Sequence, residues 1–297
     1  MRTQSSPADV SRPPLGLLLD VDGPIASPET RSIAIPSLVE DLVALTAAGV
    51  PVGFVTGRSE SFMVEEVAAP LLAHGLAPNA RVYSVCEKGG VWFQITAEGT
   101  GEARVAHEVA VPGPVTDAVR ELAASEFSDT MFFDETKQAM ISLEQRTDVA
   151  NRDYLAAQAR FNDAAFELFA AHGLGVRLGE REATDARGEV HFRIDPTIIS
   201  TDIESITLDK ALGAERCLAH FAKSGELPRR WYSVGDSRGD YRMADHLHEA
   251  GYDAAHVDVR PSDGMLERPY PIITIEGAIN DAAGAEFLAR CRRELLS

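Results

Sequence analysis

The sequence predicts an α/β protein in which a parallel β-sheet carries helices on both faces and an α+β layer is inserted into the chain. Three observations favour this class. Apolar runs of strand length recur, and the first two are separated by a helical pattern, as in a βαβ unit. The main runs end in carboxylate or hydroxyl side chains. Residues 87–198 differ in character, since short strand-like runs alternate there with amphipathic helical patterns.

The first part of the core is predicted from apolar periodicity and from the residues that interrupt it. The run 15–19 is too short for a buried helix, so we expect a strand that Gly23 and Pro24 end. A capping-box pattern at 37–40 predicts the start of a helix. The elements expected in order are strand 15–19, a helix from 37 that ends at Gly49, strand 50–55, helix 61–74 and strand 82–85.

The expected domain organisation is a core formed by 15–86 and 199–297, an inserted layer at 87–198 and a flexible N-terminal tail at 1–14. In the inserted layer we expect strands 91–96, 103–110, 139–144 and 190–194 and helices 115–126 and 153–172. In the second part of the core we expect a helix from 210, strand 231–234, a helix ending at Gly251, strands 254–259 and 272–275 and a helix at about 278–295.

Composition limits the classes of partner. The 297 residues carry 28 basic and 46 acidic side chains and a net charge of −18, which argues against nucleic acid or an anionic membrane as partner. The three cysteines, Cys86, Cys217 and Cys291, have no metal-site or disulfide spacing and favour a reduced cytoplasm. The N-terminus has no apolar signal-peptide core, and no run reaches the length of a membrane span.

The most informative residues are Asp20 and Asp22, at the end of the first apolar run. Residues two apart on an extended segment point the same way, so both carboxylates are expected in one cleft. Two anions held this close repel unless a cation lies between them, and a hard divalent ion suits oxygen ligands. An ordinary turn explains Asp-x-Asp-Gly equally well when this segment is considered alone.

Three further segments place polar residues at strand or helix ends. Thr56 and Arg58 follow the second strand around Gly57, Lys210 begins a helix, and Asp236 and Asp240 follow the strand 231–234. Each alone also fits a helix cap, a solvated helix end or a loop. Ligands of parallel sheets bind beyond the carboxyl ends of the strands, so all four segments together predict one site.

These four segments resemble motifs I to IV of the haloacid dehalogenase superfamily. The resemblance covers about 15–84 and 200–262, and it implies a Rossmann-like core with a C2-type cap inserted at 87–198. The most similar patterns are those of the Cof-type, sucrose-phosphate, trehalose-phosphate and mannosyl-phosphoglycerate phosphatases and of the phosphomannomutases. Pro24 and Gly239 depart from the family pattern, which usually has Thr or Ser and often Asn at these places.

The resemblance implies a role for each catalytic residue. Asp20 would be the nucleophile that forms an aspartyl-phosphate, and Asp22 the general acid and then the general base. Thr56 would bind a phosphoryl oxygen, and Lys210 would neutralise another and restrain Asp20.

The resemblance also implies a Mg²⁺ site. Asp20 and Asp236 would bind the ion through their side chains and Asp22 through its backbone carbonyl. Asp240 would hold a metal-bound water or orient Lys210.

Other residues are candidates for contacts to the substrate, and those of the inserted layer would recognise its leaving group. These are Gly57, Arg58, Lys88, Glu144, Arg146, His191 and Arg193. The alternative for each cap residue is a solvated face of the cap sheet, and for Arg58 a structural salt bridge. We do not expect His191 to bind a metal, because we find no second His or carboxylate at ligand spacing.

The expected function is a Mg²⁺-dependent phosphatase for a small phosphorylated metabolite, a sugar phosphate by analogy of fold. The alternatives are a phosphomutase of the phosphomannomutase type and a metabolite-binding or regulatory protein with weak turnover. A monomer or homodimer is expected.

Overall fold

Two β-sheets organise the chain in the computed structural model, which describes residues 13–296. The larger sheet forms the core, and the smaller one belongs to an inserted cap. All but the last two residues of the predicted tail, 1–14, lie outside the described part of the chain. The architecture confirms the predicted α/β class, with a largely parallel sheet between helices.

The core sheet has nine strands in the described chain, in the order β15-β14-β13-β1-β2-β3-β4-β5, with β6 paired to β4. The pairs from β15 to β3 are parallel, and β4, β5 and β6 add antiparallel partners at one edge. The strands are β1 (Gly16–Leu19), β2 (Val52–Val55), β3 (Val82–Cys86), β4 (Val91–Thr96), β5 (Gly99–Thr100), β6 (Arg104–Val105), β13 (Arg230–Gly235), β14 (Asp253–Asp258) and β15 (Ile272–Ile273).

Helices bury apolar side chains against both faces of this sheet. Leu38 of one helix and Phe287 of another pack with Leu17 and Leu19 on one face, and Phe221 and Met243 pack on the other. Strands that are covered on both sides need continuous apolar residues, which is why β1 and β2 are uninterrupted apolar runs. The core helices are α1 (Pro36–Ala47), α2 (Glu60–Phe62), α3 (Ala69–Ala73), α6 (Lys210–Ser224), α7 (Tyr241–Glu249) and α8 (Asn280–Leu296).

Two helix predictions differ in detail from the structure. Helix α1 begins at Pro36 with Ile35 as N-cap and no side-chain cap, so the predicted capping box at 37–40 is wrong. Proline is favoured at the first helical position because its missing N–H has no partner there. The predicted helix 61–74 corresponds to α2 and α3 joined by a π-helical turn, Met63–Ala68.

The cap has a six-stranded sheet in the order β10-β9-β11-β12-β8-β7. The apolar side chains of α4 and α5 cover one face, where Phe161 and Phe169 pack against Ile141, Leu143 and Ile203. The cap elements are α4 (Gly113–Leu122), β7 (Met131–Phe133), β8 (Ile141–Gln145), α5 (Asn151–Ala171), β9 (Val176–Leu178), β10 (Arg181–Ala183), β11 (Phe192–Pro196) and β12 (Ser200–Ser205).

The borders of the cap differ from the expected 87–198. Strands β4, β5 and β6 were expected in the cap, but they pair with β3 in the core sheet. Strand β12 was expected in the core, yet it pairs with β8 and β11 in the cap sheet. The predicted strand 103–110 is limited to β6, and turns follow it. Between residues 13 and 296, no helix is both long enough and apolar enough to cross a membrane.

Candidate active site

Three neighbouring strands end in the residues of the candidate site. Asp20 follows β1, Thr56 follows β2 and Asp236 follows β13. Because β1 pairs in parallel with both β2 and β13, these ends meet at one edge of the sheet. The structure therefore brings together the strand-end residues that the sequence analysis placed in one cleft.

Lys210 joins two carboxylates at the centre of this site. Its ammonium nitrogen lies 2.6 Å from Oδ1 of Asp20 and also donates to Oδ1 of Asp240. The side chains of Asp20 and Asp240 are buried, that of Asp240 fully, and the side chain of Lys210 is 13% exposed. Lys210 is the first residue of α6, where a cation opposes the helix dipole, and these two carboxylates offset that cost.

Burial and this pairing set the protonation of the three groups. Burial and the charge of Asp240 raise the pKa of Asp20 well above its ordinary value, against the opposing effect of Lys210. Burial alone would raise the pKa of Asp240, but Lys210 and the donors of Ser237 hold it below its ordinary value. Burial alone would lower the pKa of Lys210, but the two carboxylates raise it. Lys210 is therefore charged, and Asp240 stays ionised beside it.

Asp240 is fixed by its neighbours in the loop after β13. Its Oδ2 accepts hydrogen bonds from the backbone N–H groups of Asp236 (3.1 Å) and Ser237 (2.8 Å) and from the Ser237 hydroxyl (2.7 Å). A Cβ at Gly235 would lie 2.1 Å from the Cβ of Asp240, so only glycine admits this fold of the loop. The geometry gives Asp240 an orienting role toward Lys210.

A group of carboxylates could hold a cation. Oxygen atoms of Asp20, Asp236 and Asp240 lie within 4.8 Å of one another. Gly23, at φ 93°, lets the loop after β1 pass close to Asp236, because a Cβ there would lie 2.8 Å from the Cβ of Asp236. A hard divalent cation such as Mg²⁺ fits this all-oxygen donor set.

Asp236 belongs to this group and is paired with Arg260. Burial and the charge of Asp240 raise its pKa to about 6, although Arg260 acts in the opposite direction. Arg260 Nη1 lies 3.1 Å from Oδ2 of Asp236. A raised carboxyl pKa in a cluster of anions indicates a place where additional positive charge is favourable.

Asp22 has a different partner. Arg58 donates to both of its oxygens, at 2.9 Å from Nε to Oδ2 and 2.8 Å from Nη2 to Oδ1. The side chain of Asp22 is therefore paired with Arg58 and lies outside the group of Asp20, Asp236 and Asp240. The bidentate pair orients Asp22, and its partly exposed carboxylate remains accessible from the cleft.

Thr56 is fully buried, and its Oγ1 accepts a hydrogen bond of 3.1 Å from the backbone N–H of Arg58. Because the hydroxyl accepts this bond, its proton remains available for an acceptor such as a phosphoryl oxygen. The carbonyl of Gly57 accepts a bond of 2.6 Å from Lys137 of the cap. The predicted loop thus also serves as a contact between core and cap.

The polar face of the cap sheet lies toward the core. Side chains alternate along a strand, so Ser142 and Glu144 of β8 point away from the apolar cap core formed by Ile141 and Leu143. Glu144 lies 4.0 Å from Arg31, which belongs to the loop that follows Asp22.

Lys88 and Arg193 meet on this face through a buried carboxylate. Oε1 of Glu204 lies 2.8 Å from Nζ of Lys88 and 2.6 Å from Nη2 of Arg193. Lys88 also lies 3.2 Å from Asp202 and 4.0 Å from Asp195. Lys88 precedes β4 of the core, so this cluster ties the core to the cap.

The structure separates the other two cap candidates from this cluster. Arg146 pairs with its neighbour Asp148 at 3.1 Å, and both side chains are exposed. His191 lies 3.3 Å from both Asp185 and Glu189. The expectation that no carboxylate lies at ligand distance from His191 is therefore wrong, because a loop brings both together.

Sequence reasoning missed several residues of the site. Arg260 follows β14 at the same edge of the sheet, a position that could have indicated it. Ser237 was inside a recognised motif but had no assigned role. No sequence pattern indicated Lys137 or Glu204, because their contacts depend on how the cap packs against the core.

The fold is shared with several solved structures. A trehalose-6-phosphate phosphatase C-terminal domain from C. albicans aligns with a TM-score of 0.61 and 13% identity over 94% of this chain and 92% of that one. A haloacid dehalogenase-like hydrolase from Bacteroides thetaiotaomicron aligns with a TM-score of 0.57 and 13% identity over 93% and 98%. The sucrose-phosphatase of Synechocystis, in complex with sucrose and phosphate, gives 0.52 and 15% over 96% and 100%.

Sequence comparison alone gives no relative. No protein-family model matches the chain, and no curated protein matches it. At these identities the structural likeness establishes the fold.

Proposed function

We propose that this chain, which has the fold of the haloacid dehalogenase-like phosphatases, is a Mg²⁺-dependent phosphatase that hydrolyses a small phosphorylated metabolite through an aspartyl-phosphate. The observation that carries the proposal is the buried contact between Lys210 and Asp20, with the Arg58-oriented Asp22 two residues away. A nucleophile, a cation and an acid–base group thus meet at one edge of the sheet.

In the first step a carboxylate oxygen of Asp20 attacks phosphorus, and the bond between phosphorus and the leaving oxygen breaks. Asp22 acts as the general acid that gives a proton to the leaving oxygen, so the product leaves as an alcohol. Lys210 and the hydroxyl of Thr56 offer donors to the phosphoryl oxygens. The charge of Lys210 favours the nucleophilic, ionised form of Asp20 and so opposes the effect of burial.

In the second step a water attacks the phosphorus of the aspartyl-phosphate, and Asp22 accepts a proton from that water. The bond between Asp20 and phosphorus breaks, which releases inorganic phosphate and restores the enzyme. Asp20 and Asp236 would hold Mg²⁺ beside this position, and Asp240 lies in the same carboxylate group. The bound ion supplies positive charge against the developing charge of the phosphoryl group.

The polar side chains of the cap favour a substrate with a polar leaving group. Its sheet presents Glu144, Asp202 and Arg193 toward the core. Carboxylates accept hydrogen bonds from hydroxyl groups, and a guanidinium group donates to them. A sugar phosphate is therefore the proposed substrate class, in agreement with the trehalose and sucrose phosphatases that share the fold.

The proposal is tested with purified protein and p-nitrophenyl phosphate or a panel of sugar phosphates. Phosphate release should require Mg²⁺ and stop on chelation. Asp20→Asn should lose roughly a thousandfold or more in kcat while folding normally. Asp253→Asn is a matched control, because Asp253 is an exposed carboxylate at the start of β14, at the other end of the sheet.

Three results would count against the proposal. Near-normal activity of Asp20→Asn would refute the assigned nucleophile. An isomerised sugar phosphate without release of phosphate would indicate a phosphomutase. The absence of turnover on the whole panel would favour a metabolite-binding protein.

A further inference from the structure

A second cavity, of about 500 Å³, lies away from the catalytic edge. Its floor is the surface of β3, β4 and β6, and its wall is the later part of α6. The side chains that matter here are Tyr83, Trp92, Arg104, Arg216, His220 and Lys223. None of the catalytic residues named above lines this cavity, and its volume is in the range of small-molecule sites.

Three cations line this cavity without an anionic partner among residues 13–296. Within the described chain, Arg104, Arg216 and Lys223 make no hydrogen bond or ion pair with another side chain. Glu102 also lines the cavity but pairs with none of them, and the charges of Glu108 and Glu215 reach Arg216 only at longer range. In a chain with a net charge of −18, such a concentration of unpaired positive charge is unexpected.

The guanidinium group of Arg216 is positioned by an aromatic ring, but its buried Nε lacks a hydrogen-bond partner among the described residues. Its guanidinium carbon lies 3.8 Å from the ring centroid of Trp92, so it stacks on that ring. Its Nε is buried and has no hydrogen-bond acceptor within the described residues. A buried N–H without a partner costs free energy, so the described residues do not fully satisfy this guanidinium group.

Tyr83 and His220 add aromatic rings to the lining of this cavity. The rings of Tyr83 and His220 stack with centroids 3.8 Å apart. Burial, together with the charges of Lys223 and Arg81, lowers the pKa of His220, so this imidazole is neutral at pH 7. The cavity thus combines positive charge with aromatic rings, and both the strands and α6 contribute to each.

We propose that this cavity is a second ligand site, separate from the catalytic one, that binds a small anion carrying one or more phosphoryl groups. Three cations lining one cavity match a charge of −2 or more better than a single carboxylate. The planar guanidinium groups of Arg104 and Arg216 suit phosphoryl oxygens, to which arginine donates paired hydrogen bonds.

Trp92 provides a direct test, because the chain has only two tryptophans and the other, Trp231, is fully buried in the core. Inorganic pyrophosphate is titrated into metal-free protein in the presence of a chelator while tryptophan fluorescence is recorded. We expect a saturable change that disappears in Trp92→Phe. This readout needs no turnover, so it is independent of the proposed phosphatase activity.

Charge-removal variants identify the binding groups. Arg216→Gln should raise the midpoint of the titration about tenfold or more, the usual effect of losing a charge-assisted hydrogen bond. Arg104→Gln/Lys223→Gln should do the same while leaving the contact of Arg216 with Trp92 intact. Arg290→Gln is the matched control, because Arg290 is an exposed arginine of α8 outside the cavity.

Two results would overturn the proposal. One is the absence of a saturable change in the wild-type protein up to about 10 mM pyrophosphate, beyond any useful affinity. The other is an unchanged midpoint in both charge-removal variants, with folding verified by circular dichroism.

Discussion

Replacement of Lys210 by methionine tests the electrostatic core of the site. The variant keeps most of the aliphatic side chain but removes the ammonium group that contacts both Asp20 and Asp240. The side chains of these carboxylates are only 7% and 0% exposed, so water cannot replace the lost charge. Removing one member of a buried ion pair costs about 3–5 kcal/mol, which is the expected loss in the free energy of unfolding at pH 7.5 without metal.

The loss should depend on pH, and its sign can be worked out. Asp240 keeps its donors from Asp236 and Ser237, so Asp20, whose pKa is already raised, would take up a proton in the variant. A folded state that binds an extra proton is stabilised as pH falls, by about 1.4 kcal/mol per pH unit. Lowering the pH from 7.5 to 5.5 should therefore recover up to about 2.7 kcal/mol relative to the wild type.

Urea unfolding monitored by circular dichroism at both pH values measures this difference. Lys223→Met is the control, because Lys223 lies on the same helix, is exposed and has no ion pair among the described residues. We expect it to change stability by less than about 0.5 kcal/mol. A Lys210→Met variant as stable as the wild type, or one whose loss does not vary with pH, would refute the reasoning.

Three further predictions concern other residues. Burial lowers the pKa of His256 to about 4, so the unfolded state takes up a proton first as the pH falls, and the wild-type protein loses about 2.5 kcal/mol of its free energy of unfolding between pH 7 and 4.5. His256→Asn should remove this loss, which urea unfolding at both pH values measures. Asp22→Asn should lower kcat on a sugar phosphate by about 10²–10⁴, and less on p-nitrophenyl phosphate, whose leaving group needs little protonation. The carboxylate of Glu87 accepts hydrogen bonds from the backbone amides of 138–140. Glu87→Gln should therefore lower stability by about 1–3 kcal/mol and speed hydrogen exchange of these three amides. Unchanged exchange would show that Glu87 does not anchor this segment.

The strand-end residues could be predicted because their signal is local. A buried parallel strand must be apolar on both faces, so the first polar residue marks the edge of the sheet. Asp20, Thr56 and Asp236 each follow such a run, and the structure places them at one edge. The roles that the family resemblance gives to these residues remain predictions.

The borders of the cap could not be predicted in the same way. The alternating burial of β4 would suit a strand in either sheet, and only its pairing with β3 assigns it to the core. Likewise β12 joins the cap because it pairs with β8, a segment far away in the chain. Strand pairing depends on long-range contacts that periodicity does not encode.

The sequence alone determined the α/β class, the parallel core and the carboxylates at its edge, because apolar runs and their polar ends are properties of neighbouring residues. Only the tertiary structure decided that Arg58 pairs with Asp22, that Arg260 approaches Asp236 and that Glu204 joins Lys88 to Arg193. These contacts link distant segments, and their geometry is set by the packing of the cap and loops on the core sheet.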